Sequence, residues 1–580
     1  MASAVKLNDM TEGWNKWQLG LVVGVGALGV AGLWYYMRRK GEVKVDKIDI
    51  VDSNQNASNK PSAKPKSLQE QAQESKKEGN VFFKNGQYNA AISCYTEAIN
   101  LCPREHSGDI ATFHQNRAAA FEQLGENKSV LEDLNMAITL NKRYPKALAR
   151  RARAHEVAQD YAMALEDITA CCLLEGFQNQ QSLIVADRVL KLLGKSKAHA
   201  AYSSRTPSLP SQFFIKNYFA GFCHDPIFKT SSAGKAEPLK KPDEGEITEE
   251  PVVNGETEGA TQEASPFELA QQQVNQQQYG QLIELCSKEL ELKDTPHRHK
   301  ALLMRGTMYV LYGQGEEAMK DLSTLLEIDG METEVRVNAL VKMGSLVMQA
   351  DKSQEALACF SNAEKVDPNN SDVFHHRGQQ LLLVEKLDDA IKDFDKSISL
   401  SPDFATSYVQ RAYAEHRSAV TQQSPLNLMK ADASFKQALE KFPNCSDIYL
   451  LYGQAQCDQG DFTRAKELFT RAESLEPDNA NILVHRGLLC LQTSKDANQA
   501  LTIIRRAVEV DPLCEYAHEI IGTIEVQRTN MQAAEYHFNK AIELSKSEAE
   551  MAHLFSLLHA SQIQTRVAQK LGIDVPTFGP

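Results

Sequence analysis

Residues 72–105 read AQESKKEGNVFFKNGQYNAAISCYTEAINLCPRE. Small and apolar residues recur at helical spacing on both sides of Gly86, which breaks the run, and Pro103 cannot continue it. With Ala72 as position 1, small residues stand at 8 (Gly79), 20 (Ala91) and 27 (Ala98), aromatic ones at 11 (Phe82) and 24 (Tyr95), and Pro103 at 32. Small residues at 8 and 20 let two helices cross closely, and the rings fill the space beside the crossing. The stretch is a helical hairpin. One hairpin leaves its apolar face uncovered, so the chain must carry more of them.

The spacing recurs outward from this stretch, and a 34-residue helix–turn–helix with these fixed positions is the tetratricopeptide (TPR) pattern. A second repeat starts at Ile110 or Ala111, with Ala118, Phe121, Leu134 and Ala137 at positions 8, 11, 24 and 27. A third runs from Pro145, with Ala152 and Ala164 at 8 and 20. Residues 180–204 read as a further helix that caps this array. From Thr206 the pattern fails: LPSQFFIKNYFAGF is a short aromatic segment expected to pack on the solenoid. Residues 231–266, rich in Pro, Gly and acids, bury too little apolar surface to order themselves and read as a disordered insert. Repeats resume near Glu263, clearest at 337–370, 371–404 and 446–479. The repeat from Ala405 regains register only with about seven residues inserted near Thr421–Leu428, which predicts an enlarged inter-helix loop. Repeats from Ala480 and Glu515 follow, and MAHLFSLLHASQIQTRVAQKL reads as a terminal cap. The expected fold class is all-α: a TPR superhelical solenoid in two arrays, with an N-terminal transmembrane helix.

That helix is residues 19–37, LGLVVGVGALGVAGLWYYM, without a charge. It would span roughly 28 Å, about the thickness of a bilayer's hydrocarbon. All three tryptophans, Trp14, Trp17 and Trp34, flank it. Arg38, Arg39, Lys40, Lys44 and Lys47 follow, which places the large C-terminal part in the cytosol. Gly24 to Gly29 is a literal G-x-G-x-x-G, but an unbroken apolar run lacks the strand and amphipathic helix of a dinucleotide site. The domain reading is 1–18 a short N-terminal segment, 19–37 the anchor, and 38–71 a flexible tether. Residues 72–204 are the first array of three repeats with a cap, 205–262 the aromatic segment and insert, and 263–580 a second array of about eight repeats with a cap.

A chain of 580 residues with net charge −13 is poorly suited to neutralising phosphates, which argues against nucleic-acid binding. Its 11 cysteines form no framework and no C-x-x-C pair, consistent with a reducing compartment. His375-His376 and His297-x-His299 lack partners at metal spacing, and no phosphate loop or nucleophile elbow is present. The expectation is no enzyme, no cofactor and no metal.

Chemistry is expected on the concave face, lined by positions 2, 5, 6 and 9 of each first helix. In the first array these are Lys76 and Asn80, Asn116, and Lys146 and Arg150. Three cations and two amide donors in one groove would grip two neighbouring carboxylates, as a peptide ending in Asp provides. The second array instead presents Leu450, Leu451, Gln454, Val484 and Leu488, an apolar groove suited to an extended or helical hydrophobic segment. The plainer alternative is that these residues pack between helices.

K-x-x-x-N in the first repeat, N-R in the second and K-x-x-x-R in the third resemble the dicarboxylate clamp of TPR co-chaperones. That resemblance implies binding of the Glu-Glu-Val-Asp tails of the cytosolic 70- and 90-kDa heat-shock chaperones. The whole layout is similar to the large (70-kDa class) TPR-bearing preprotein import receptors of the mitochondrial outer-membrane translocase, the TOM complex. It implies a single-pass outer-membrane protein, N-terminus in the intermembrane space and bulk in the cytosol. Such a receptor docks chaperone-bound precursors, binds internal targeting signals of hydrophobic clients such as metabolite carriers, and passes them to the pore and other translocase subunits. A membrane-anchored TPR co-chaperone scaffold on another organelle shares the clamp and stays open as the alternative.

Overall fold

The computed structural model describes residues 66–228, 264–350 and 352–573. The expected anchor, most of the tether and most of the acidic insert lie outside the described residues. Among the described residues no helix is long and apolar enough to cross a membrane. They form 25 α-helices and no strand, arranged as successive antiparallel pairs apart from Gln180–Ser204, Gln212–Ala220 and Glu548–Leu571. Three pairs precede the insert, from Leu68–Lys84 with Tyr88–Leu101 to Pro145–Val157 with Tyr161–Leu174, and eight follow it. The first helix begins at Leu68, inside the stretch 38–71 expected as tether, because Ser67 and Glu70 form a reciprocal cap on its N-terminus.

The crossing of each pair rests on the residues read from the repeat. A β-carbon added at Gly79 would lie 2.8 Å from the Tyr95 ring, closer than such atoms approach. The same contact recurs at Gly344 with Phe360, Gly378 with Phe394, Gly453 with Phe469 and Gly522 with Phe538. Position 15 of these repeats turns the chain in the left-handed region: φ is 76° at Gly86, 75° at Gly125 and 81° at Gly460. Gln159 and Glu385, each at 59°, make the same turn without glycine.

A second device ties the two helices of a pair together. Arg117 bonds Asp133, Arg151 bonds Asp167, Arg305 bonds Asp321 and Arg377 bonds Asp393, each through two guanidinium nitrogens. The spacing is 16 residues every time. Burial pushes the Asp133 carboxyl up, but Arg117 and His114 outweigh it and hold the group below its ordinary value.

The enlarged loop expected near residues 421–428 is not there. The helices Ala405–Thr421 and Pro425–Lys441 are 17 residues each, against 13 and 14 in the pair Ser371–Leu383 with Leu387–Leu400 and 14 and 14 in the pair Ser446–Gln459 with Phe462–Leu475. The extra residues add nearly one turn of about 3.6 residues to each helix, which keeps the packing faces aligned.

The chain divides into two compact units that do not follow the insert. One comprises Thr206–Lys495 and Arg506–Cys514; the other comprises Val25–Arg205, Asp496–Arg505 and Glu515–Pro580, within the described residues. The last pairing and the helix Glu548–Leu571 thus join the first array, which revises the 263–580 boundary. The long helices Gln180–Ser204 and Glu548–Leu571, each expected as a separate cap, pack on one another. Val185, Val189 and Leu193 share a core with Ile563, Val567 and Ala568, together with Leu148, Leu165 and Ile168. Gly194 is pressed so close to Ala552 and Ser556 that a β-carbon would overlap the Ala552 carbonyl.

Candidate functional site

In the first array, the helix Leu68–Lys84 carries Lys76 and Asn80, Ser107–Leu124 carries Asn116, and Pro145–Val157 carries Lys146 and Arg150. Asn80 and Asn116 are brought together: Asn116 Nδ2 donates to Asn80 Oδ1 at 3.4 Å, and Tyr95 Oη donates to the same oxygen at 2.8 Å. The ring that fills the helix crossing therefore also orients the Asn80 amide. Arg150 is held by the middle repeat, donating from Nε to Glu122 Oε2 at 2.7 Å and from Nη1 to the Gln115 carbonyl at 3.3 Å. Gln115 is itself fixed by the Tyr144 hydroxyl at 3.1 Å. Lys76 is half-buried and Lys146 exposed, and neither is in an ion pair among the described residues. Arg117, next to Asn116, is engaged with Asp133 and Thr96 and faces the helix interface. Glu122 is the neighbour that sequence reading missed: a carboxylate on the cation expected to receive one.

The second-array set is placed differently from an open groove. Leu450, Leu451, Gln454 and Val484 are 8, 7, 2 and 0% exposed, and Leu488 is half-buried. Leu450 packs with Phe469, Ile482 and Leu489; Leu451 joins a core containing Tyr452 and Phe435. Gln454 Nε2 lies 2.9 Å from His485 Nε2. Consecutive repeats stack closely enough here that Leu450 meets Ile482 and Leu489 of the next first helix, which leaves Leu488 the most exposed of the five.

A buried polar cluster of the other unit lies under the aromatic segment. Phe222 to Phe228 crosses the inward residues of three first helices, Arg298–Leu311, Thr333–Gln349 and Ser371–Leu383. Asp225 Oδ2 accepts from Lys342 Nζ at 3.0 Å, and Lys342 also donates to Thr307 Oγ1 at 2.9 Å. Asp372 accepts the backbone N–H groups of Cys223 and His224 at 2.7 and 2.8 Å. Cys223, His224 and Asp372 consequently gather ligand-type atoms within 4.8 Å, a cluster hidden in the sequence by a separation of 148 residues. The Cys223 thiol is lowered by His224, which Cys223 in turn raises to about 9. Sequence inspection assigned no role to Lys342, although it stands at position 6 of the repeat from 337.

Comparison with known proteins gives a consistent account. The chain matches the families described as "TPR repeat" over residues 79–125 and "Tetratricopeptide repeat" over 427–480 and 456–500. It is 42% identical to the human mitochondrial import receptor subunit TOM70 over 584 residues, covering 97% of this chain and 94% of that one. The rat protein of the same name is 41% identical, with 97 and 93% covered. Among solved structures it is similar to yeast Tom70, at 22% identity and a TM-score of 0.47, with 86% of this chain and 99% of that chain covered.

Proposed function

As the chain belongs to the TOM70 family of mitochondrial import receptors, we propose that it is anchored in the mitochondrial outer membrane and receives precursors from cytosolic chaperones. Its first array binds the chaperones' Glu-Glu-Val-Asp tails, its second array receives internal signals of hydrophobic precursors, and the translocase pore takes them over. The observation that supports the clamp is the Asn80–Asn116 contact beside Arg150, with Lys76 and Lys146 left without an ion-pair partner among the described residues. Two amides already in contact need little ordering when a carboxylate arrives. Arg150 keeps Nη2 outside its bonds to Glu122 and Gln115, and a guanidinium donor there adds a charge-assisted bond to the carboxylate.

The test is a calorimetric titration of the full chain with a peptide ending Glu-Glu-Val-Asp, its C-terminally amidated form, and its form ending in Asn. Each change removes one charge and is expected to cost about 1.5–3 kcal/mol, the range for hydrogen bonds to charged groups. Arg150→Ala should cost at least as much, and Arg150→Lys should recover only part, because an ammonium lacks the guanidinium fork. Glu122→Gln keeps the size but removes the competing charge, so affinity should rise by up to about 1 kcal/mol, typical of a partly exposed pair. Equal affinity for the three peptides would remove the clamp from the account.

A further inference from the structure

The segment Phe222–Phe228 lies on the second array as a peptide lies on a receptor. Thr307, Asn338, Lys342, Asp372 and His376 stand at positions 9, 2, 6, 2 and 6 of three successive repeats. These are inward positions, and 2 and 6 are those of Lys146 and Arg150 in the first array. Every named contact is of a recognition type. Lys342 and Asn338 reach the Asp225 carboxylate, at 3.0 and 3.4 Å. Asp225 Oδ1 accepts the N–H groups of Ile227 and Phe228, both at 2.9 Å, which fixes the segment's turn. Asp372 takes two backbone N–H groups, and the Phe222 ring lies 4.2 Å from that of His376; the stack of Phe228 on Phe219 at 3.9 Å is internal to the aromatic segment.

Two features distinguish this seat from a core that is merely filled. The Lys342 and Asp225 side chains are 1 and 2% exposed, so both charges are stripped of water. Well-packed apolar residues stabilise a fold as well or better, whereas a charged pair specifies which segment docks and in which register. In addition, Asn338 Oδ1 is buried without a hydrogen-bond partner among the described residues. Buried polar atoms are nearly always paired, so the seat has capacity that its present occupant leaves unused.

We propose that this concave face is a peptide-binding site for a short segment carrying an acidic residue between aromatic residues, and that Phe222–Phe228 is its resident ligand, exchanging with incoming chains of the same chemistry. The identity of the incoming chain as a precursor rests on the reading of the second array given above; the site itself does not.

The probe is a fluorescein-labelled peptide of residues 221–228 with Cys223→Ser, titrated into the full chain by anisotropy. Binding is expected, and a peptide that also carries Asp225→Asn should bind at least about tenfold more weakly, having lost the charge that meets Lys342. A second arm locks the resident segment: Cys223 Sγ lies 3.6 Å from Ser401 Oγ, so Ser401→Cys allows a disulfide between segment and array. The oxidised variant should lose peptide binding and regain it on reduction. Equal binding of the Asp and Asn peptides, no binding of either, or equal binding by locked and reduced chains would overturn the proposal. If the variant fails to fold or cross-link, the Asp/Asn comparison on the unaltered chain decides alone. A hydrophobic precursor segment titrated in parallel separates the two readings. Peptide exchange without precursor binding keeps the site and removes the client role, and precursor binding without exchange does the reverse.

Discussion

Arg150 and Lys342 occupy the same position, 6, of their repeats and meet opposite surroundings. Arg150 is half-buried against Glu122, whereas Lys342 is fully buried against Asp225. Residue type and register were legible for both; what each cation faces depends on chain that arrives from elsewhere. The next repeat's position 6, His376, shows the same dependence in its titration. Burial, with the Lys342 ammonium adding to it, pushes the imidazole from 6.5 down to about 4. Between those values the unfolded chain takes up a proton that the folded chain refuses, so His376 removes stability as pH falls through that window and nothing further below it. His376→Gln should therefore lose less stability than the parent between about pH 6.5 and 4, read from urea midpoints at each pH. Asp225 and Asp372 face the same interior in both chains, so their titration largely drops from the difference. A difference that stays flat across the window would mean that the imidazole is protonated in the folded protein.

At the scale of the element, the helical hairpin follows from one small residue and one ring. The β-carbon of an alanine at Gly453 would sit 2.5 Å from the Phe469 ring, which is fully buried and cannot swing aside. Gly453→Ala should destabilise by about 1–3 kcal/mol, the range for overpacking, and Phe469→Leu in the same chain should recover part of it. Gly108→Ala is the contrast, since nothing lies within 4 Å of that position. It should be neutral or slightly stabilising, as alanine forms helix better than glycine. Calorimetric melting of the three variants checks the order; equal effects at Gly453 and Gly108 would mean that propensity, not the crossing, sets the cost. The repeat from 405 carries the complementary lesson. The need for extra residues was visible in the sequence, but not whether they would enter the loop or the helices. Adding close to a full turn to each helix keeps every apolar face where it was, so packing chose the helices.

Over the whole molecule, the consequential feature is that the chain's end completes the array that its beginning starts. Glu166 pairs with Lys570 at 2.6 Å, and Arg143 Nη2 donates to the Leu571 carbonyl at 2.8 Å. Beneath them Val567, 1% exposed, shares the core of the third repeat and the long helix Gln180–Ser204. Val567→Asp would bury an unpaired charge there, at a cost of several kcal/mol. Amide exchange should then quicken in Pro145–Val157, Tyr161–Leu174 and Gln180–Ser204, and the Glu-Glu-Val-Asp peptide should bind more weakly although no clamp residue is altered. Unchanged exchange in those helices would show that the first array closes its core without the C-terminus.

Periodicity alone determined the fold class, the number of helical pairs before and after the insert, and which residues form each crossing. Those are local properties, set by side chains within one 34-residue repeat, and they repeat because the same local problem recurs. The residues proposed for the clamp were named by the same register, since inward positions follow from helix geometry. Tertiary structure alone decided that Leu450, Leu451, Gln454 and Val484 pack between helices, that residues 222–228 lie over Lys342, and that Glu548–Leu571 joins the first array. A solenoid's repeat pattern describes contacts between neighbours in sequence. It carries no term for a strap or a terminal helix that returns across hundreds of residues to cover an apolar or charged face.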